Sequence, residues 1–388
     1  MSPDLTAVLD DLTSAPTGPL QAVGFRQGEG SVTFRTDRPE VMQTATDTLY
    51  SYRITPPAPA GWEITMRTAA VFDTAAIAEM FTTAPLREIG PRLYARVVHS
   101  CRGQTYWVAE HAMLIHTNPH TAAITAHHTN PESARYWTAR LVRQTMTAQL
   151  LAGGAVYAHA AAFSHHGRGV LIIGPKGAGK TTTLVTSLRL LGGDYVTNDR
   201  LLLGRESGEL LGRAWPAHMR VGVGTLLAIP DLVDLVPARL RELPEHQRWH
   251  HRDKVTIEPP EFSRLLSAGM VISEVRPRLM LWPSLSRPGR HGAAPVAVSA
   301  AEVHDVLLDT RLFMVNPTSG VSAHVNHWLI DTGPAARTAE NLRQVVDDLA
   351  THVPCYRIPV GGDPAALAAR INDLLARIAP VNDTRSPA

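Results

Sequence analysis

Cysteine is almost missing from this chain of 388 residues. Cys101 and Cys355 stand far apart, without Cys-x-x-Cys or Cys/His ligand spacing, which argues against a disulfide framework and a zinc site. Lysine is as scarce: only Lys176, Lys180 and Lys254 occur among 37 basic residues. Long apolar runs are lacking too, since no stretch approaches the roughly 18 residues a membrane-spanning helix needs. The opening MSPDLTAVLDDLTSAP is acidic where a secretory signal would be basic and then apolar, so a cytoplasmic location and no membrane partner are expected. An excess of one charge is also absent. A net charge of +2 offers no basic face for nucleic acid, and no nucleic-acid partner is expected. Histidines are plentiful, at 18, but His127-His128, His165-His166 and His250-His251 are adjacent pairs whose side chains diverge, a poor arrangement for holding one metal ion.

What is present is a globular composition, 44% hydrophobic and 19% charged, in a chain long enough for two domains. Residues 18 to about 128 alternate short β-type runs (22–25, 31–35, 62–66, 92–99, 106–108 and 122–126) with turns and one or two short helices, which predicts a mixed, mostly antiparallel N-terminal α+β module over 1–130. Residues 131–152 predict a bridging helix with Asn130 as N-cap, Gly153-Gly154 as its stop, and Tyr136, Leu141, Val142, Met146 and Leu150 at helical spacing. From residue 153 to 380 a second domain is expected, with a disordered tail at 381–388. It opens with one strand over 155–164 and another over 169–173. A helix over 180–191 follows, ended by Gly192-Gly193, and then a strand over 195–197 that delivers Asn198 and Asp199. Further on, 239–251 reads as a polar, mobile insertion, 283–294 as a Pro- and Gly-rich loop, 355–359 as a strand and 363–378 as a closing helix.

The chemistry-bearing motif is Gly174-Pro175-Lys176-Gly177-Ala178-Gly179-Lys180-Thr181, a complete G-x-x-x-x-G-K-[ST] between an apolar strand and an amphipathic helix. Glycines let such a loop turn its backbone N–H groups toward phosphate oxygens at the positive end of the helix. Lys180 is expected on the β- and γ-phosphates of ATP, the Thr181 hydroxyl on Mg²⁺, and Thr182 in the phosphate cradle. Asp199, at the end of the next strand, can hold the metal or accept a proton from an attacking hydroxyl. His159 lies in the strand expected beside the loop, a place where a histidine is more often simply packed. Arg213, Arg220 and Lys254 are further candidates for acceptor or phosphate contacts.

The stretch Val156-Tyr157-Ala158-His159-Ala160, the run from Gly169 through the glycine loop, and Asp194 to Arg200 together resemble the catalytic domain of HPr kinase/phosphorylase and the HPr-kinase-like proteins of bacterial biosynthetic clusters. That resemblance covers about residues 153 to 204. It implies an α/β fold: a P-loop core related to phosphoenolpyruvate carboxykinase over 153–380, carrying the antiparallel module at 1–130. It also implies a kinase using ATP and Mg²⁺ to phosphorylate a hydroxyl, with His159 as the active-site histidine and Asp199 as one of the family's two aspartates. The other aspartate is Asn198 here, so any base role falls to Asp199. A small molecule or peptide is the expected acceptor, residues 1–130 are the candidate part for recognising it, and a homo-oligomer is compatible. The alternative reading is a nucleotide-binding regulatory or accessory protein with weak ATPase activity.

Overall fold

A computed structural model describes residues 19–55, 61–68, 73–90, 92–215, 217–249, 253–285, 293–308, 312–313 and 328–378. The expected tail at 381–388, the pair His250-His251 and the centre of the loop expected at 283–294 lie outside them. The chain divides into two compact units, Met1–Gly153 with Asn326–Thr332, and Gly154–Val325 with Gly333–Ala388.

The first unit contains β1 (Gln21–Gln27), β2 (Gly30–Thr36), α1 (Pro39–Thr48), β3 (Arg53–Ile54), β4 (Trp62–Thr68), α2 (Thr74–Met80), β5 (Leu86–Gly90), β6 (Leu93–Ser100), β7 (Gly103–Val108), β8 (Met113–Asn118), β9 (Ala123–His128) and α3 (Pro131–Ala152). Its strands form one nine-stranded sheet in the order β3-β1-β2-β4-β9-β8-β7-β6-β5. Only the β2–β4 and β4–β9 pairs are parallel. The Asn130 side chain caps α3 by accepting from the Glu132 N–H at 2.9 Å, and Pro131 takes the first turn, where a missing N–H costs nothing. Leu141, Val142, Met146 and Leu150 are buried as the spacing predicts, but Trp137 and not Tyr136 continues their face. Tyr136 is exposed and stacks on His111 at 5.0 Å. The returning segment supplies Trp328, whose ring meets Tyr106 edge-on at 4.7 Å and whose carbonyl accepts from the Tyr106 hydroxyl.

The second unit contains β10 (Val156–Ala158), β11 (Ala161–His165), β12 (Arg168–Ile172), α4 (Lys180–Leu190), β13 (Asp194–Thr197), β14 (Leu201–Glu206), β15 (Glu209–Ala214), β16 (Met219–Gly222), α5 (Val223–Leu227), β17 (Lys254–Ile257), β18 (Glu274–Val275), β19 (Pro277–Leu285), β20 (Val296–Val298), α6 (Ala300–Leu307), α7 (Ala335–His352), β21 (Cys355–Val360) and α8 (Pro364–Ala376). Its main sheet runs β13-β11-β12-β19-β21-β20. A second sheet runs β10-β14-β15-β18, and β16 pairs with β17 alone. Leu184, Val185 and Leu188 of α4 are buried with Ile172, Leu281 and Val360, which ties the helix to one face of the main sheet.

Two expectations change here. Pro283 lies in β19 and not in a loop: pairing with β12 ends at Leu281, so on that side the missing N–H interrupts no ladder. The stretch expected to be a mobile insertion places Leu240 in the core, in a helical turn over Ala238–Arg241.

His127 of β9 gives the first unit a pH-dependent term. Burial, then the nearby charges of Arg67 and His128, outweigh the pull of Asp37 and lower its pKa from 6.5 to about 4. The unfolded chain takes up that proton first as pH falls, so stability is lost between pH 6.5 and about 4. His127 should contribute a loss of about 2 kcal/mol at about pH 5 relative to neutral pH, read by urea unfolding; His127→Gln should remove that part and leave the loss from His128, whose pKa burial also lowers.

Candidate functional site

Strand direction decides which side chains meet. β11 runs antiparallel to both β12 and β13, so β12 and β13 point the same way and their C-terminal ends lie beside the start of β11. Three features therefore share one end of the sheet: the loop after β12, the Asn198-Asp199 pair after β13, and the segment entering β11. His159 lies in that segment. It is not inside one continuous strand over 155–164, as expected from sequence. The chain leaves the β10–β14 ladder at Ala158 and enters the β11–β12 ladder at Ala161, because the two halves pair with strands of different sheets. In the break, the His159 N–H donates to the Leu312 carbonyl at 2.7 Å.

The break turns His159 onto Asp199, with Nε2 2.9 Å from Oδ1. The other carboxylate oxygen lies 3.5 Å from Arg200 Nε. Burial would raise the Asp199 pKa, but the hydrogen bond from His159 and the charges of His159, Arg200 and Lys180 together hold it below the ordinary 3.8. Arg200 itself is braced by aromatic faces, its guanidinium 5.8 Å from the Tyr157 ring centroid and 5.5 Å from that of Trp215. Arg200 adjoins Asp199 in sequence, but its rings come from β10 and the end of β15, and no spacing rule links them. Asn198 is buried, and its Oδ1 has no hydrogen-bond partner among the described residues.

The loop carries its strain at glycines. Gly177 has φ +87° and Gly179 φ +106°, both left-handed. A Cβ at Gly177 would meet nothing within 4 Å, so open space borders the crown of the loop. The amides of the first turn of α4 have no partners within the helix and are donors for an anion there. Lys180 is 8% exposed, and its Nζ donates to the carbonyls of Gly174 at 2.8 Å and Pro175 at 3.3 Å. Burial lowers its pKa, Asp199 opposes that and Lys254 adds to it, so both partners lie within electrostatic reach. The half-buried Thr181 hydroxyl makes no hydrogen bond among the described residues, which leaves it available as a metal ligand. Lys176 is exposed at the rim. The Ala178 amide closes the loop onto the Pro175 carbonyl at 3.2 Å. The Thr182 hydroxyl is hydrogen-bonded to that of Thr225 on α5 at 2.8 Å, so the part of Thr182 left for the cradle is its first-turn amide.

The downstream cations separate. Arg213 is no phosphate ligand: its side chain is 7% exposed and is held by Glu206 at 2.8 Å and Glu274 at 3.0 Å. Lys254 is exposed on β17 opposite Gly222, and Arg220 lies two residues along β16 on the same face of that ribbon. Among the described residues no three His, Cys, Asp or Glu side chains gather round one point. Mg²⁺ commonly takes one or two protein ligands and completes its shell with phosphate oxygens and water, and Thr181 and Asp199 fit that pattern.

No family model matches the chain, and none of the curated proteins does. Among solved structures, the Hpr(Ser) kinase/phosphatase from Coxiella burnetii aligns with 57% of this chain and 97% of its own, at 14% identity and a TM-score of 0.29. No helix among the described residues is long and apolar enough to cross a membrane.

Arg213→Gln should destabilise the protein by about 2 kcal/mol, because Glu206 and Glu274 lose their shared partner. Nucleotide affinity should not change. Denaturant unfolding and calorimetric titration of the same variant check the two halves of this statement.

Proposed function

We propose that this chain is an ATP- and Mg²⁺-dependent kinase that transfers the γ-phosphoryl group to a hydroxyl of a small molecule or peptide. The observation that carries the reading is the His159–Asp199 pair standing at the same sheet end as the glycine loop, with its carboxylate in electrostatic reach of Lys180. A triphosphate in the loop would take hydrogen bonds from the first-turn amides of α4 and the charge of Lys180. Mg²⁺, held by Thr181 and Asp199, would neutralise charge on the β- and γ-phosphates. The acceptor oxygen attacks the γ-phosphorus, the bond to the β-phosphate oxygen breaks, ADP leaves, and the hydroxyl proton passes to Asp199. His159 orients that carboxylate through its Nε2 hydrogen bond, which makes it a positioning residue. Lys254, in electrostatic reach of Lys180, and Arg220, on the same face of the β16–β17 ribbon, would meet an anionic part of the substrates.

Asn198 supports a second reading. A neutral amide beside Asp199, with an unpartnered buried oxygen, suits a protein that binds nucleotide and hydrolyses it slowly while acting on a partner.

Mass and ³¹P analysis of product formed from Mg-ATP and host extract separates the two. A kinase gives a phosphorylated acceptor that disappears with Lys180→Ala. With Asp199→Asn it should fall at least about 100-fold while ATP still binds. Full transfer by Asp199→Asn would refute the assigned role, and tight ATP binding without any product supports the regulatory reading. Because Lys180 binds only as the cation and its pKa is lowered, ATP affinity should fall on raising pH before the 10.5 of an ordinary lysine is reached, as read by titration calorimetry across alkaline pH.

A further inference from the structure

The sheet order also gives a bound nucleotide a direction. His159 and Asp199 lie on the β11 and β13 side of the loop, and β19 and β21 lie on the other. A triphosphate seated with its γ end at Asp199 therefore runs its α end, and the nucleoside behind it, toward β19 and β21. Trp282 and Arg357 stand there, directly opposite each other in the parallel ladder. The indole borders the loop itself, since a Cβ on Gly174 would lie 3.3 Å from Trp282 Cδ1 and 3.5 Å from its Nε1. The Arg357 guanidinium lies over the indole, 4.5 Å from the ring centroid, and is fixed by an ion pair with Glu302 of α6.

We propose that Trp282, Arg357 and Glu302 form the nucleobase platform of this protein, a proposal that rests on the nucleotide reading of the loop. Arg357 is a flat cation whose side chain is 48% exposed, and the indole beneath it and the Glu302 carboxylate hold its orientation. A purine stacked on such a surface gains dispersion and cation–π attraction without a new charge being buried. The Glu302 side chain, 43% exposed, has lone pairs left beyond those that Arg357 occupies, and these can accept from an amino group on the base. The structural role of the same residues does not require this chemistry. An arginine that only closed a surface ion pair would not need an aromatic ring at the rim of the glycine loop.

The test is titration calorimetry of Mg-ATP and of Mg-tripolyphosphate, which carries the phosphates without a base. The wild-type protein should bind ATP more tightly than tripolyphosphate. Arg357→Ala should weaken ATP about tenfold and leave tripolyphosphate unchanged, whereas Lys180→Ala should weaken both. Glu302→Gln, a change on the exposed face of α6, should weaken ATP by a smaller factor and keeps the test open if Arg357→Ala does not fold. Photolabelling with 8-azido-ATP should modify peptides containing β19 or β21. Equal binding of ATP and tripolyphosphate by the wild type, or labelling confined to peptides from β10 to β16, would overturn the platform and leave the phosphate-loop reading standing. Binding of neither ligand would overturn both.

Discussion

The hydrogen bond between His159 Nε2 and Asp199 Oδ1 can form because β11 runs against both of its neighbours. In a sheet with every strand parallel, the start of β11 would lie at the far end from the glycine loop, about the length of a strand away. Reversing one strand brings a residue that enters the sheet beside two that leave it. The same reversal explains why His159 is in neither ladder. The chain passes between two sheets there, and its backbone is held by Leu312 instead. Geometry at the site thus follows from topology, and the side chains supply the charge.

Much of this was legible in the sequence where the cause is local. The glycine loop is set by residues within a few positions of one another, and its flanking strand and helix fall where the pattern puts them. Asn130 caps α3 because capping involves only neighbouring amides. The misreadings share a different cause. Arg213 looks like a phosphate ligand until Glu274, far along the chain, is seen to hold it. Nothing near Thr182 in sequence says that its hydroxyl will be taken by Thr225 on α5, at 2.8 Å. Pro283 reads as a strand breaker because no local rule says where β12 stops pairing. His159 was legible as a companion of Asp199 only through the family resemblance; the break that turns it there was not, since it depends on a change of sheets.

The scarcity of lysine sharpens the division of labour among the cations. Arginine's planar fork suits shared ion pairs and stacking, and Arg213, Arg200 and Arg357 are used in that way. Lys180, a compact point charge on a flexible stem, is the cation that reaches back to the carbonyls of its own loop. Those carbonyls are weak partners for an ammonium beside the charge of a polyphosphate, so the group is desolvated without being committed.

The short segment Asn326–Thr332 belongs to the first unit although most of the second unit is encoded before it. Trp328 packs on Tyr106 and Trp137, at 4.7 Å and 6.1 Å between ring centroids. During synthesis the first unit therefore waits for its last aromatic ring, for roughly ten to thirty seconds at ordinary elongation rates. Until then Tyr106 and Trp137 lack that cover, and a ribosome-bound chain cut short after the first 153 residues would present an unfinished core to chaperones. Maturation of the two units is coupled in time by the order in which the chain is made.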